Sequence, residues 1–143
     1  MFNNILVVCI GNICRSPSGE RILQSMLPDK NITSAGIGAM IDHGVEQHAA
    51  KLLDSHNYNS ADHKARQISQ DIISDADLIL VMEKRHQQTL MQKYPSASGK
   101  VMLLGKWNND EEIPDPYKKS MEVFEQSFKQ IEHNCKLWAS KLG

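Results

Sequence analysis

A continuous apolar run near the start of the chain ends at a cysteine and is followed by a loop and a helix start. Residues 5–9 (ILVVC) predict a buried strand, and five residues separate Cys9 from Arg15. Ser16 is expected to cap a helix that has Pro17 at its first position. The loop therefore lies at a helix N-terminus, where unpaired backbone N–H groups and the helix dipole favour a bound anion.

This loop carries two side chains suited to phosphoryl transfer onto sulfur. The helix N-terminus and the fixed charge of Arg15 favour Cys9 as a thiolate, which is the nucleophilic form. The planar guanidinium of Arg15 can donate to two phosphoryl oxygens at once. Gly11 and Asn12 tolerate the backbone angles of a tight loop. The simpler alternative is a buried cysteine followed by an exposed arginine, but the strand–loop–helix context favours a phosphate site.

Composition and charge argue against several classes of function. The formal net charge is −1, so we expect neither a nucleic acid partner nor insertion into a membrane. The first apolar run is too short for a signal peptide, and we expect a cytoplasmic monomer. Three cysteines without a paired motif, and six scattered histidines, predict no disulfide framework, no metal and no cofactor. Residues 1–143 are expected to form a single domain.

Hydrophobic periodicity predicts alternating strands and helices along the rest of the chain. After the first strand, strands are predicted at residues 31–35, 78–82 and 101–104, and helices at residues 17–27, 45–55, 70–76, 84–94 and 121–142. The third strand is almost wholly apolar, which is typical of a strand covered on both faces of a parallel sheet. This order predicts an α/β three-layer sandwich, with a four-stranded parallel sheet, helices on both faces and the phosphate loop after strand 1.

The last predicted helix carries an apolar stripe at alternating three- and four-residue steps. The stripe fits either a coiled-coil seam or a face packed on the sheet. Because it is short and follows a complete α/β pattern, we expect the second arrangement. Cys135 lies within the stripe and is predicted to be a buried structural thiol.

A thiolate that attacks a phosphate ester also needs an acid to protonate the departing oxygen. The aperiodic connection at residues 105–120 is where we expect it, because long loops in compact domains are commonly functional. Its charge run, Asp110, Glu111 and Glu112, predicts a solvated surface. Asp115 lies between two prolines that restrict the loop, and Tyr117 is placed to stack on an aromatic substrate. Without the Cys9 loop, the simpler interpretation of Asp115 as an ordinary turn aspartate would be preferred.

The order of elements predicts that these two regions meet. Cys9 ends the first strand, and the loop with Asp115 leaves the carboxyl end of the fourth, the edge at which open α/β sheets bind ligands. Met40 and Ile41 lie in a glycine-flanked loop after the second strand. They are either core plugs or the wall of a pocket beside the Cys9 loop, and the sequence leaves this choice open.

The chain resembles the low-molecular-weight protein tyrosine phosphatases over essentially its whole length. The resemblance rests on residues 9–17 (CIGNICRSP), 34–36 (SAG), 63–67 (HKARQ) and 115–117 (DPY). It implies hydrolysis of phosphotyrosine through a phosphocysteine intermediate at Cys9, with Arg15 binding the phosphate oxygens. Asp115 is then implied to act first as the acid and afterwards as the base.

The resemblance also implies roles for other side chains of the site. Ser16 is implied to donate to the thiolate, and Asn12 and His63 to brace the loop, although His63 alone would be predicted to lie on the surface. Cys14 is implied to form a reversible disulfide with Cys9. The residues implied to contact the substrate are Ile10, Gly11, Asn12, Ile13, Cys14, Ser16, Met40 and Tyr117.

Two positions suggest the type of partner. Eukaryotic members of the family carry a tryptophan where this chain has Met40 and a further aromatic residue where it has Lys118. The chain thus resembles bacterial members that act on tyrosine autokinases of capsule and exopolysaccharide export. The implied partner is a phosphotyrosine protein, in particular the tyrosine-rich tail of such a kinase.

Two other functions use a similar loop. An arsenate reductase of the same fold needs two further cysteines to pass a disulfide outward, and none lies between Arg15 and Cys135. A non-catalytic phosphate-binding module would have no need of Asp115.

Overall fold

A computed structural model gives the structure of residues 2–143, which contains a four-stranded parallel sheet with the order β2-β1-β3-β4. The strands are β1 (Asn4–Cys9), β2 (Asn31–Gly36), β3 (Leu78–Val81) and β4 (Val101–Leu103). The helices are α1 (Arg15–Met26), α2 (Gln47–Ser55), α3 (Gln70–Asp75), α4 (Lys84–Lys93) and α5 (Met121–Leu142), with a short 3-10 turn at Pro95–Ala97. The predicted α/β sandwich with its parallel sheet is confirmed.

The central strand β1 contributes side chains to a core on each face of the sheet, because successive residues of a strand point to opposite sides. Ile5 and Val7 pack with residues of α1, α2 and α5. Leu6 and Val8 pack with residues of α3 and α4. This burial on both sides explains why the strand is apolar without alternation.

Helix α5 packs its apolar stripe on the sheet, as the spacing predicts. Phe124, Phe128, Ile131 and Trp138 are buried in the same core as Ile5. Cys135 is also fully buried there, and burial raises the pKa of its thiol. None of the helices within residues 2–143 has the length and the apolar run that crossing a bilayer would require.

Helix α1 begins two residues earlier than the sequence pattern predicts. Arg15 is its first residue and Cys14 takes the capping position, so the assignment of Ser16 as the cap and Pro17 as the first helical residue is wrong. The hydroxyl of Ser16 contacts the sulfur of Cys9 instead of capping the helix. Pro17 is tolerated because backbone N–H groups in the first turn have no partner within the helix.

The carboxyl ends of the strands bring separate parts of the chain to one edge. Cys9 ends β1, and Glu83 lies two residues after β3. The loop that leads from β4 towards Asp115 is attached to this edge, since the N–H of Ile113 donates to the carbonyl of Met82 at 3.0 Å. The fold therefore positions one site at this edge.

Candidate active site

The loop of residues 10–14 is held in place through Asn12. Asn12 has a φ of 58°, in the left-handed region that asparagine tolerates better than most residues. Nε2 of His63 donates to the carbonyl oxygen of Asn12 at 2.7 Å, and the N–H of Arg66 donates to its Oδ1 at 2.9 Å. His63 is buried, so its prediction from local sequence as a surface histidine is wrong. The segment of residues 63–66 thus fixes both the backbone and the side chain of Asn12.

The orientation of Asn12 determines the direction of a hydrogen-bond chain that ends at Cys9. This hydrogen-bond chain begins at Glu20, whose Oε1 accepts the hydroxyl of Ser34 at 2.6 Å. Nδ2 of Asn12 donates to Ser34 Oγ at 3.0 Å and to Ser16 Oγ at 2.8 Å. The Ser16 hydroxyl proton is then left for Cys9 Sγ, 3.0 Å away, and the Ser16 N–H lies 3.4 Å from it. Two hydrogen-bond donors therefore meet this sulfur.

Arg15 is buried next to the sulfur, and one half of its guanidinium is bound by the protein. Nη1 donates to Oε2 of Glu83 at 2.6 Å and to the carbonyl oxygen of Ile113 at 2.8 Å. Burial opposes the charge of Glu83, but hydrogen bonds from Arg15 and Arg85 outweigh it and lower the pKa of Glu83. Nη2 lies 3.7 Å from Oδ2 of Asp115. The guanidinium is thus anchored through Nη1, which leaves Nη2 for a ligand.

A pocket of about 160 Å³ lies between the phosphate loop and the loop after β4. Asp115 is at its rim with a side chain 43% exposed, and its Oδ1 accepts the N–H of Tyr117 at 3.0 Å. The residues that line the pocket are Cys9, Ile10, Gly11, Ile13, Cys14, Arg15, Gly38, Met40, Asp115 and Tyr117. A nucleophile, a cation and a carboxyl group therefore share one small cavity.

The structure settles the choice left open for Met40 and Ile41. Met40 lines the pocket, next to Gly11, and is a wall residue. Ile41 is 59% exposed and is neither a core plug nor a lining residue. The side chains of Asn12 and Ser16 do not line the pocket, because both are fully buried behind the loop.

Sequence patterns did not identify two carboxylates that organise the site. Glu83 could have been considered because it follows a strand whose carboxyl end meets the ligand-binding edge. Glu20 lies on α1 and reaches the site only through Ser34, and no motif marks it.

Glu111 was predicted to be a solvated charge, and this prediction is wrong. Its carboxylate accepts hydrogen bonds from the side-chain amides of Asn108 (3.0 Å), Gln130 (2.9 Å) and Asn134 (2.7 Å). Burial opposes its charge, but these bonds outweigh the burial and lower the pKa of Glu111. The contacts tie the start of the loop with Asp115 to helix α5.

The three cysteines are free thiols. Burial, with a smaller effect from Cys9, raises the pKa of the Cys14 thiol, so Cys14 is protonated at neutral pH. The disulfide implied between Cys9 and Cys14 stays a prediction. Among residues 2–143, no three His, Cys, Asp or Glu side chains converge closely enough to hold a metal ion.

Comparison with known proteins adds independent findings. The family model for "Low molecular weight phosphotyrosine protein phosphatase" matches residues 4–143. The low molecular weight protein-tyrosine-phosphatase Wzb of Escherichia coli (strain K12) is 48% identical over 143 residues, which are 100% of this chain and 97% of that protein. The crystal structure of the tyrosine phosphatase Wzb from Escherichia coli K30 in complex with sulphate has a TM-score of 0.97 at 43% identity and covers 100% of both chains. The YwlE arginine phosphatase from Geobacillus stearothermophilus has a TM-score of 0.93 at 28% identity and covers 99% of this chain and 93% of its own.

Proposed function

The chain belongs to the low molecular weight phosphotyrosine protein phosphatase family, and we propose that it hydrolyses phosphotyrosine in proteins through a phosphocysteine intermediate at Cys9. The observation that carries this proposal is that Cys9, Arg15 and Asp115 line one pocket of about 160 Å³. The relatives are named as phosphatases, so neither an arsenate reductase nor a non-catalytic phosphate-binding module is favoured.

In the first step, the thiolate of Cys9 attacks phosphorus, so that the S–P bond forms while the P–O bond to tyrosine breaks. Asp115, as the carboxylic acid, gives its proton to the departing phenolic oxygen. Nη2 of Arg15 binds phosphoryl oxygens while Nη1 stays on Glu83, which keeps the cation in place as charge moves. The backbone N–H groups of residues 10–14 and the N-terminus of α1 supply further positive potential.

In the second step, water attacks the phosphocysteine and the S–P bond breaks. The carboxylate of Asp115 now takes a proton from that water, so one group serves as acid and then as base. The sulfur of Cys9 leaves as an anion, and the hydroxyl and N–H of Ser16 stabilise it through the contacts of 3.0 and 3.4 Å. Inorganic phosphate is the second product.

The walls of the pocket fit the ring of a tyrosine. Met40 and Tyr117 both line the cavity, and both offer apolar surface to an aromatic group. Phosphoserine has no ring, and its side chain is too short to contact these walls when its phosphate lies on the loop. This argument favours phosphotyrosine over phosphoserine as the substrate.

The partner is proposed to be a bacterial tyrosine autokinase of capsule or exopolysaccharide export, through its tyrosine-rich tail. The support is the presence of Met40 and Lys118 at positions that are aromatic in eukaryotic members, together with the bacterial relatives. The test compares kcat/KM on tyrosine-phosphorylated tail with that on unrelated phosphotyrosine peptides. Equal values would remove the reason to name this partner.

The hydrolytic function is tested with phenyl phosphate and p-nitrophenyl phosphate in the presence of a chelator. We expect Cys9→Ser to abolish turnover and Asp115→Asn to lower kcat by about a hundredfold or more on phenyl phosphate, whose leaving group needs the proton. Asp110→Asn, in the same loop but exposed, is the matched control. Turnover retained in Cys9→Ser would refute the nucleophile, and a higher kcat/KM on phosphoarginine than on phosphotyrosine would refute the substrate class.

A further inference from the structure

A second concave surface runs along the edge strand β4, from the loop before this strand to the loop after it, and shares no lining residue with the pocket at Cys9. This groove of about 540 Å³ starts beside the first residues of β1 and β3 and is bordered by the last turn of α5. We call it the basic groove and define it by Phe2, Lys30, Lys100, Lys106, Trp107 and Lys141, which are among its lining residues.

Exposed apolar side chains concentrate in the basic groove. Of the three large apolar side chains that are well exposed among residues 2–143, two line it, namely Phe2 (47%) and Trp107 (41%). The ring of Trp107 stands edge-on to that of Trp138, with 5.6 Å between the centroids. Trp107 is therefore held in place by Trp138, and its exposed face is apolar surface that a partner would remove from water.

The groove is also strongly positive, in a chain whose net charge is −1. It is lined by four lysines and one acid, Asp77, whose carboxylate accepts the N–H groups of Asn3 and Asn4 at 2.9 and 2.8 Å. The ammonium groups of Lys141 and Lys106 lie 4.6 and 5.3 Å from the ring centroid of Trp107. Within the described part of the chain, no carboxylate forms an ion pair with any of the four lysines.

We propose that the basic groove docks an acidic peptide segment of a partner protein. An aromatic or aliphatic side chain of the segment enters between Phe2 and Trp107. Its carboxylates face Lys106 and Lys141, because Lys30 already donates to the carbonyl of Phe2 and Lys100 to the carbonyls of Ile73 and Ala76. The concave shape favours a peptide over a bilayer, because a flat lipid surface cannot enter a groove. Because the groove shares no lining residue with the pocket at Cys9, docking there leaves that pocket open, and the inference does not depend on the proposed function.

The test uses a short peptide of glutamate and aspartate with one central phenylalanine, labelled with fluorescein and followed by anisotropy. Trp107 and Trp138 are the two tryptophans of the chain and both line the groove, so their emission reports where the peptide binds. We expect saturable binding that weakens as salt is added, together with a change in tryptophan emission.

The double variant Lys106→Glu and Lys141→Glu is expected to weaken peptide binding by at least about tenfold, because two attractions become repulsions. The control is Lys93→Glu with Lys136→Glu, which changes the net charge equally at exposed sites outside the groove. Lys93 lies in the last turn of α4 as Lys141 does in α5, so the helix-terminus effects also match. Wild-type hydrolysis of p-nitrophenyl phosphate by both double variants shows that they are folded.

Three outcomes would overturn the proposal. The first is that the peptide does not bind, and the second is that both double variants weaken binding equally, which would make the effect one of net charge. The third is that vesicles containing phosphatidylserine, or a second copy of the chain in sedimentation experiments, bind through Lys106 and Lys141 more tightly than the peptide does.

Discussion

Glu83 fixes the guanidinium of Arg15, and its removal is expected to reduce the rate of catalysis. The contact between Arg15 Nη1 and Glu83 Oε2 is 2.6 Å long and joins two charges in a site where Arg15 is 2% and Glu83 17% exposed. Without Glu83, Nη1 keeps only the carbonyl of Ile113. The guanidinium is then free to move towards Asp115, now 3.7 Å away, and to pair with that carboxyl in place of the phosphoryl group.

The size of the effect follows from the type of bond. A hydrogen bond to a charged group contributes about 1.5–3 kcal/mol, roughly twice a neutral one. Glu83→Gln keeps an oxygen acceptor for Arg15 but loses the charge, so about 1.4 kcal/mol is lost and kcat/KM falls by about tenfold. Glu83→Ala loses the whole bond, about 3 kcal/mol, and kcat/KM falls by about a hundredfold or more.

Steady-state kinetics on two esters test this reasoning. We expect the loss in kcat to be larger for phenyl phosphate than for p-nitrophenyl phosphate, because the poorer leaving group depends more on the acid Asp115. Glu112→Gln is the matched control, since this exposed carboxylate at the same edge accepts, among residues 2–143, only the N–H of Lys84, at 2.9 Å. Wild-type kcat/KM in Glu83→Ala would refute the reasoning, as would an equal loss in the control.

Three further predictions concern stability, reactivity and loop geometry. Burial, with the nearby positive charge of an arginine, lowers the pKa of His86 from 6.5 to about 4, although its Nε2 lies 3.5 Å from Oε2 of Glu83. The unfolded chain therefore binds a proton that the folded one does not, so up to about 3 kcal/mol of unfolding free energy is lost as the pH falls from 6.5 to 4. Urea unfolding of His86→Phe is expected to show less of this loss, and an unchanged pH dependence would contradict the assignment. At pH 7, iodoacetamide is expected to alkylate Cys9 in preference to Cys14, because burial raises the pKa of the Cys14 thiol. Peptide mapping that finds Cys14 labelled first would be inconsistent with this expectation. Gly36→Ala would place its Cβ far closer to the Ile10 carbonyl oxygen than van der Waals contact allows and would displace the phosphate loop, so kcat/KM is expected to fall by about tenfold or more. Unimpaired kinetics in that variant would show that the loop can yield at no cost.

The elements of the fold could be predicted from sequence because their signals are local. The apolar run of β1, the stripe of α5 and the spacing between Cys9 and Arg15 each lie within one segment, where the period of side chains reveals the local structure. Asp115 could also be identified from its immediate neighbours, because the prolines on either side of it restrict the loop. The local pattern wrongly predicted Ser16 as the helix cap. Its hydroxyl instead contacts Cys9 Sγ and accepts a hydrogen bond from Asn12 Nδ2.

Tertiary structure alone decided which groups hold the site together. Glu83 is 68 residues from Arg15, and Ile113 is 98 residues from it, yet both bind the same guanidinium nitrogen. His63 reaches Asn12 across 51 residues, so that a residue with a surface-like local sequence is buried. Such contacts depend on which strands lie side by side and where their ends meet, and no local pattern of residues encodes that arrangement. The sequence by itself therefore determined the reacting groups, while their anchoring and orientation came from long-range packing of the sheet.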